Sequence, residues 1–141
     1  MIPAIANKIM LDGMDRIEQK GIRQTETVED FLDILIDTNF EITEEYQDMI
    51  LFLYSGIYYH NVLESWEQVY KPYYDTLEKN VSDFQDRKLL PANRTANEMV
   101  DFIVGLIEHS AEKYYFFKSQ NSCLKDLKET IKKFILYGLK G

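Results

Sequence analysis

Apolar residues recur at the spacing of an α-helix along nearly the whole chain, and that period decides its fold class. Val28, Phe31, Leu32 and Leu35 stand at i, i+3, i+4 and i+7, while Glu29, Asp30, Asp33 and Asp37 face away. Such a stripe is one face of a helix; a strand would alternate its side chains instead. The period returns in Ile5, Ile9, Met10, Met14 and Ile17, and again in Tyr59, Val62, Trp66, Tyr70, Tyr73, Leu77 and Phe84. Six glycines and three prolines in 141 residues are too few for a turn-rich β architecture. The chain therefore reads as all-α, a single helical bundle of about six helices, with no internal repeat and no domain boundary within residues 1–141.

Capping signals place the ends of these helices. Pro3 suits the first turn of a helix from Ile2 to Gln19, which Gly21 then breaks. Thr27 with Asp30 opens the second helix, and Thr43 followed by Glu44 and Glu45 reads as the start of a third. Every residue from Met49 to Tyr54 is apolar, so the third helix is expected to be buried on all sides. The fourth segment runs from Tyr59 to Asp86 and contains Pro72, which predicts a kink or a split there. Thr95 and Glu98 form a capping box for a fifth helix that reaches Lys118. A sixth runs from Ser122 to Tyr137, with Gly138 and Gly141 ending it and Leu124, Leu127, Ile131, Phe134 and Ile135 as its stripe. On the fifth helix the apolar positions from Ala96 to Ala111 span an arc of roughly 200°. One core contact needs about half of that, so this helix is expected to have two partners, one internal and one at a second surface.

Charge and cysteine usage exclude several roles. Sixteen basic against 24 acidic residues leave a net charge of -8, which repels phosphate and makes the segment alone a poor nucleic-acid binder. The single Cys123 excludes an intramolecular disulfide and fits a reducing cytoplasm. No apolar run approaches the ~20 residues of a membrane span, and no signal-peptide pattern opens the sequence, so the expected setting is cytoplasmic with no membrane partner. There is no Ser-His-Asp logic and no glycine-rich phosphate loop from which nucleophilic or nucleotide chemistry could start. His60 with Glu64 and Glu108 with Glu112 are pairs one helical turn apart, but neither His60 nor His109 has the Glu three residues earlier that a di-iron bundle uses. No catalytic residue, metal or cofactor is expected, and the chain is not read as an enzyme.

Aromatic residues point to a binding role. Tyr54, Tyr58, Tyr59, Trp66, Tyr70, Tyr73 and Tyr74 crowd into residues 54–74. They describe either a tyrosine-rich core and rim or a pocket walled by aromatic faces with a few polar handles. In the pocket reading, Trp66, Tyr70 and Tyr73 beside Pro72 form one wall, with Met49, Phe52 and Leu53 from the third helix. Phe102 and Leu106 from the fifth face them, Met14 and Phe31 close the remaining sides, and His60 supplies a polar anchor. The ligand of such a site is a hydrophobic or amphipathic small molecule.

Ala4-Ile5-Ala6-Asn7-Lys8 resembles the start of the fourth helix of the TetR family of bacterial transcriptional repressors, which follows directly on the DNA-binding head. Trp66 to Asp86 with Arg87-Lys88-Leu89-Leu90 resembles the family's long seventh helix and the turn after it. The run from Thr95 to Leu106 is similar to its eighth helix, and Phe134-Ile135-Leu136-Tyr137-Gly138-Leu139 to its ninth. The family's helix-turn-helix head of about 50 residues has no counterpart in the sequence. The resemblance implies a ligand-sensing and dimerisation domain, in which a small-molecule effector controls DNA binding by the head. It implies a homodimer whose last two helices pair with their twofold mates in a four-helix bundle. The residues expected there are Val100, Ile103, Val104 and Ile107, with Leu127, Ile131, Phe134 and Ile135. Two other readings remain: a helical adaptor that binds another protein through the wide face of the fifth helix, and a small bundle enzyme built on His60.

Overall fold

A computed structural model describes residues 2–56, 62–117 and 123–140, with side chains for 4–55, 67–117 and 123–140. Among the described residues there are six α-helices: α1 (Ile2–Gln19), α2 (Val28–Glu45), α3 (Gln47–Gly56), α4 (Val62–Asp86), α5 (Ala96–Phe116) and α6 (Leu124–Lys140). A single 3-10 turn, Ile22–Gln24, follows α1.

Two of the expected starts are capped as the sequence implies. The Thr27 hydroxyl accepts from the Asp30 N–H at 3.1 Å, and the Thr95 hydroxyl accepts from the Glu98 N–H at 3.1 Å while donating to its carboxylate at 3.2 Å. Thr43 behaves differently. Its hydroxyl donates to the Asn39 carbonyl at 2.7 Å, one turn back, so the threonine sits inside α2 and needs no cap role. The chain breaks instead at Tyr46 (φ -108, ψ 24). Pro72 lies within one helix, α4, which is not split, and Gly138 does not end α6, whose last turn is anchored by buried Leu139. Nor is α3 buried all round. Ile50 and Leu53 face inward, while Met49, Leu51 and Phe52 are exposed on the side away from α1 and α2, the helices against which α3 packs most among the described residues.

Four helices close a ring: α1 packs on α4, α4 on α5, α5 on α2 and α2 on α1. Against that ring α3 leans on α1 and α2, and α6 on α2 and α5. One end of the ring is solid, with Ile17, Leu32, Leu77, Val81 and Val104 all fully covered. There Phe31 meets Phe84 edge to face, with ring centres 5.5 Å apart. Asn80 of α4 donates to the Ile22 carbonyl at 2.8 Å, tying the 3-10 turn to the same end. Charges fix α1 to α2. The Arg16 guanidinium bridges Asp12 (2.9 Å), Glu41 (3.4 Å) and Glu45, and Lys20 reaches Glu41 at 2.8 Å.

Phe84→Ala would remove a ring that is 1% exposed and leave a void against Phe31. Its unfolding free energy, measured in urea, should fall by about 3–5 kcal/mol, and a loss below about 1 kcal/mol would contradict this packing.

Candidate ligand-binding site

The stripes that fill the solid end change character toward the other end. On α4 the series Phe84, Val81, Leu77 continues into Tyr73, Tyr74 and Tyr70. On α5, Val100 and Val104 are followed at the same four-residue step by Glu108 and Glu112. Side chains four apart lie on one helix face, so both acids are turned toward the inside of the ring. A partly open cavity of 70 Å³ remains at this level. Its walls are Ile9, Met10 and Gly13 of α1, Thr38, Asn39, Ile42 and Thr43 of α2, and Ile50 and Tyr54 of α3, completed by the three tyrosines and two glutamates.

Most polar groups here are engaged. Asn39 donates its amide to the Leu35 carbonyl at 2.9 Å and to the Tyr73 hydroxyl at 3.4 Å. Tyr54 donates to the Glu112 carboxylate. Glu108 has no hydrogen-bond or ionic partner among the described residues, and no fully buried side-chain oxygen is left unpaired there, so its carboxyl opens onto the cavity. Burial pushes that carboxyl up to about 7, with the charge of Glu112 adding to the effect. Glu112 is also raised by burial, against the opposing hydrogen bond from Tyr54 and the charge of His109. Burial, with Glu108 close by, raises the phenols of Tyr70, Tyr73 and Tyr74, which are therefore neutral across the physiological range. The site offers one carboxyl poised to change charge near neutrality, a second held by a phenol, and aromatic walls.

Of the residues expected to line a pocket, Tyr70 and Tyr73 border this cavity. Phe31 and Leu53 are solid core, Phe31 against Phe84 at the other end and Leu53 among Ala6, Ile9, Ile42 and Ile50. Met14 is half-buried against the main core, and Met49 and Phe52 stand on the uncovered side of α3. Phe102, 64% exposed, and Leu106 lie on the outer side of α5, in a groove shared with Phe134 and Ile135. His60 and the side chain of Trp66 lie outside the described residues. The sequence reading does not place Glu108, Glu112 or Asn39 in a pocket, and it names Tyr54 and Tyr74 only within the aromatic cluster. The four-residue step from Val104 to Glu108 was the available signal, because it puts an acid on a core stripe.

The residues expected at the dimer surface divide between the core and the exterior of one protomer. Val100, Ile103, Val104 and Ile107 are at most 2% exposed within one protomer, because α2 and α4 already cover them. Ile131 and Ile135 are buried too, and Leu127 is half-covered. The internal partners take the inner half of the wide arc on α5. What stays uncovered is its outer edge, Phe102 with half-buried Leu106, beside Phe134 (69% exposed) and Tyr137 (83% exposed) of α6.

Residues 32–139 match the family described as Tetracyclin repressor-like, C-terminal domain. The chain is also 32% identical over 135 residues to the uncharacterized HTH-type transcriptional regulator YvdT of Bacillus subtilis (strain 168), an alignment that covers 96% of this chain and 69% of that protein. The chain belongs to the TetR family. It is a C-terminal domain of that family's regulators, and the matched residues take in most of α2 and all of α3, α4 and α5. Among the described residues of this TetR-family domain, no helix is long and apolar enough to cross a membrane. No three His, Cys, Asp or Glu side chains gather among them to hold a metal ion.

The raised Glu108 carboxyl makes folding depend on pH. The folded state holds the proton more tightly than the unfolded chain, so stability falls as pH rises from about 4.5 to about 7 and the loss is complete above that. Glu108→Gln should therefore be more stable than the parent at pH 8, by at most about 3 kcal/mol, and equal to it below pH 4.5. Denaturant melts at the two pH values check this, and an unchanged difference across them would contradict it.

Proposed function

We propose that this TetR-family domain senses a small-molecule effector and forms the dimer of a transcriptional repressor, whose DNA binding resides in a separate helix-turn-helix head. The cavity carries the reading: five helices meet at one small, partly open space, so a molecule placed there touches all of them at once. An effector that fits one arrangement of α1, α2, α3, α4 and α5 better than another shifts the domain by that difference in affinity. The net charge of -8 leaves phosphate contacts to the head, and the expected setting is the cytoplasm. The effector is hydrophobic or amphipathic, with a polar group to meet the glutamates. No catalytic role is assigned.

The dimer uses the outer face of α5 and α6. Phe102, Leu106, Phe134 and Tyr137 form an exposed apolar patch, the kind of surface that marks an interaction site. Two copies of one patch related by a twofold axis cover each other, an isologous contact of four helices. The same patch supports a second reading, an adaptor that docks a different protein. Self-association separates the two.

Sedimentation of the 141-residue chain at micromolar concentration should give a dimer. Phe134→Asp should raise the dissociation constant by about 30-fold or more, with little change in the melting of the monomer, since the ring is exposed. A monomeric parent would favour the adaptor. An effector present at 100 times its dissociation constant should add about 2.7 kcal/mol of stability. Failure of a broad thermal-shift screen to find any such compound would remove the sensor reading.

A further inference from the structure

We infer that the molecule this cavity takes is an organic cation, an ammonium head on an apolar body, received by Glu108 and Glu112 among the rings of Tyr54, Tyr70, Tyr73 and Tyr74. The inference rests on the reading of the cavity as the effector site and names the chemistry of its occupant.

Three observations carry it. The first is sign. Both charged side chains in the described lining are acids, and no lysine, arginine or histidine is among them. An anionic ligand would meet two carboxylates and no cationic side chain in that lining, His109 lying outside it, in a place where burial strengthens the repulsion. The second is the unmet carboxyl. Glu108 lies at a position its helix turns inward and has no described partner, whereas Glu112 is held by Tyr54. A carboxylate drawn partly out of water without a partner is costly, and a cation supplies what it lacks. The third is the wall. Aromatic faces attract cations, and most strongly where water is excluded. Tyr73 and Tyr74 stand edge to face at 6.2 Å, so two ring planes at right angles border the same space.

Size sets the form of the cation. A cavity of 70 Å³ holds a small head group and not a drug-sized body. The cavity is partly open, which leaves room for an apolar substituent beyond the head group. A methylated or primary ammonium satisfies both limits.

Charge at the site makes the binding pH-dependent. The titratable groups that face Glu108 are Glu112 on its own helix, Tyr54 from α3 and Tyr70, Tyr73 and Tyr74 from α4; the linings from α1 and α2 contribute none. The phenols stay neutral, so the two carboxyls carry the response, and a cation entering at pH 6 must displace the Glu108 proton to solvent. Affinity should rise by about tenfold between pH 6 and pH 8.

The experiment is titration calorimetry of the full chain at both pH values with three matched probes. They are benzyltrimethylammonium, its neutral carbon isostere neopentylbenzene, and the anion phenylacetate. The expected result is binding of the ammonium alone, stronger at pH 8, and weakened by tenfold or more in Glu108→Gln. Glu108→Asp should recover part of the loss. Equal binding of the neutral isostere, or an ammonium affinity unchanged both by pH and in Glu108→Gln, would overturn the cation and leave the effector cavity standing. If none of the three probes binds at either pH, the cation falls as well, and the wider screen described above then decides whether the cavity binds an effector at all. Should Glu108→Gln lose its helical circular dichroism, the pH comparison on the parent chain decides the matter by itself.

Discussion

A carboxyl group at a position that helix geometry turns inward is the constraint on which this bundle's cavity depends. Val100 and Val104 of α5 are wholly covered, and the next residue along the same line is Glu108. A leucine there would let the core continue to the end of the ring. The glutamate cannot be packed dry without a partner, so space and polarity are kept open around it. The facing helix makes the same change at the same level, with tyrosines in place of Leu77 and Val81. Tyrosine suits the place because its ring fills volume as phenylalanine would, while its hydroxyl tolerates a hydrated neighbour. The cavity is thus written into two stripes that both stop being apolar one turn too early.

Such an end must be held from outside. At the solid end dispersion and apolar burial do this, with Phe31 and Phe84 as its largest covered pair. Near the cavity the helices are joined by charge instead. Arg16 gathers three carboxylates from α1 and α2, which without it would repel one another, and the Tyr46 hydroxyl donates to one of these, Asp12, at 2.6 Å. These groups are partly exposed, so each pair contributes little by itself. Their use lies in direction. They fix where α1 and α2 lie relative to each other without filling the space between them, which apolar side chains could not do.

The sequence made the helices legible because their period is a property of neighbours in the chain. Val28, Phe31, Leu32 and Leu35 need no knowledge of the rest of the fold to declare a buried face. It misled where one local pattern has two physical solutions. Thr43 before two acids has the look of a cap, but a threonine hydroxyl is equally satisfied by the carbonyl four residues back. The run from Met49 to Tyr54 is apolar throughout, yet how many sides of a helix are covered depends on which neighbours reach it, and among the described residues α1 and α2 pack on one side of α3. The wide arc of α5 has an inner half that α2 and α4 cover and an outer edge that stays exposed within one protomer. Which half belongs to which partner is a long-range fact, and the residues expected at the outer surface proved to be the inner half. For the pocket, the same habit of looking for apolar residues passed over Glu108, whose placement on a core stripe was the stronger sign.

The arrangement of α5 also bears on how sensing and assembly can be joined. Glu108 and Glu112 face the cavity, and Phe102 and Leu106 face outward from the same helix. A regular helix moves as a rigid rod, because turning one residue without the next would break the backbone hydrogen bonds between them. A rotation that brings Glu108 closer to a ligand therefore carries Phe102 and Leu106 through the same angle. Packed interfaces resist small sliding and favour discrete settings, so in the proposed sensor a modest turn inside the ring would select between arrangements of the outer patch. Coupling of this kind, typically about 1–3 kcal/mol, requires no chain of intermediate contacts. One helix with an acid on one side and aromatic and leucine side chains on the other is enough to link the two surfaces.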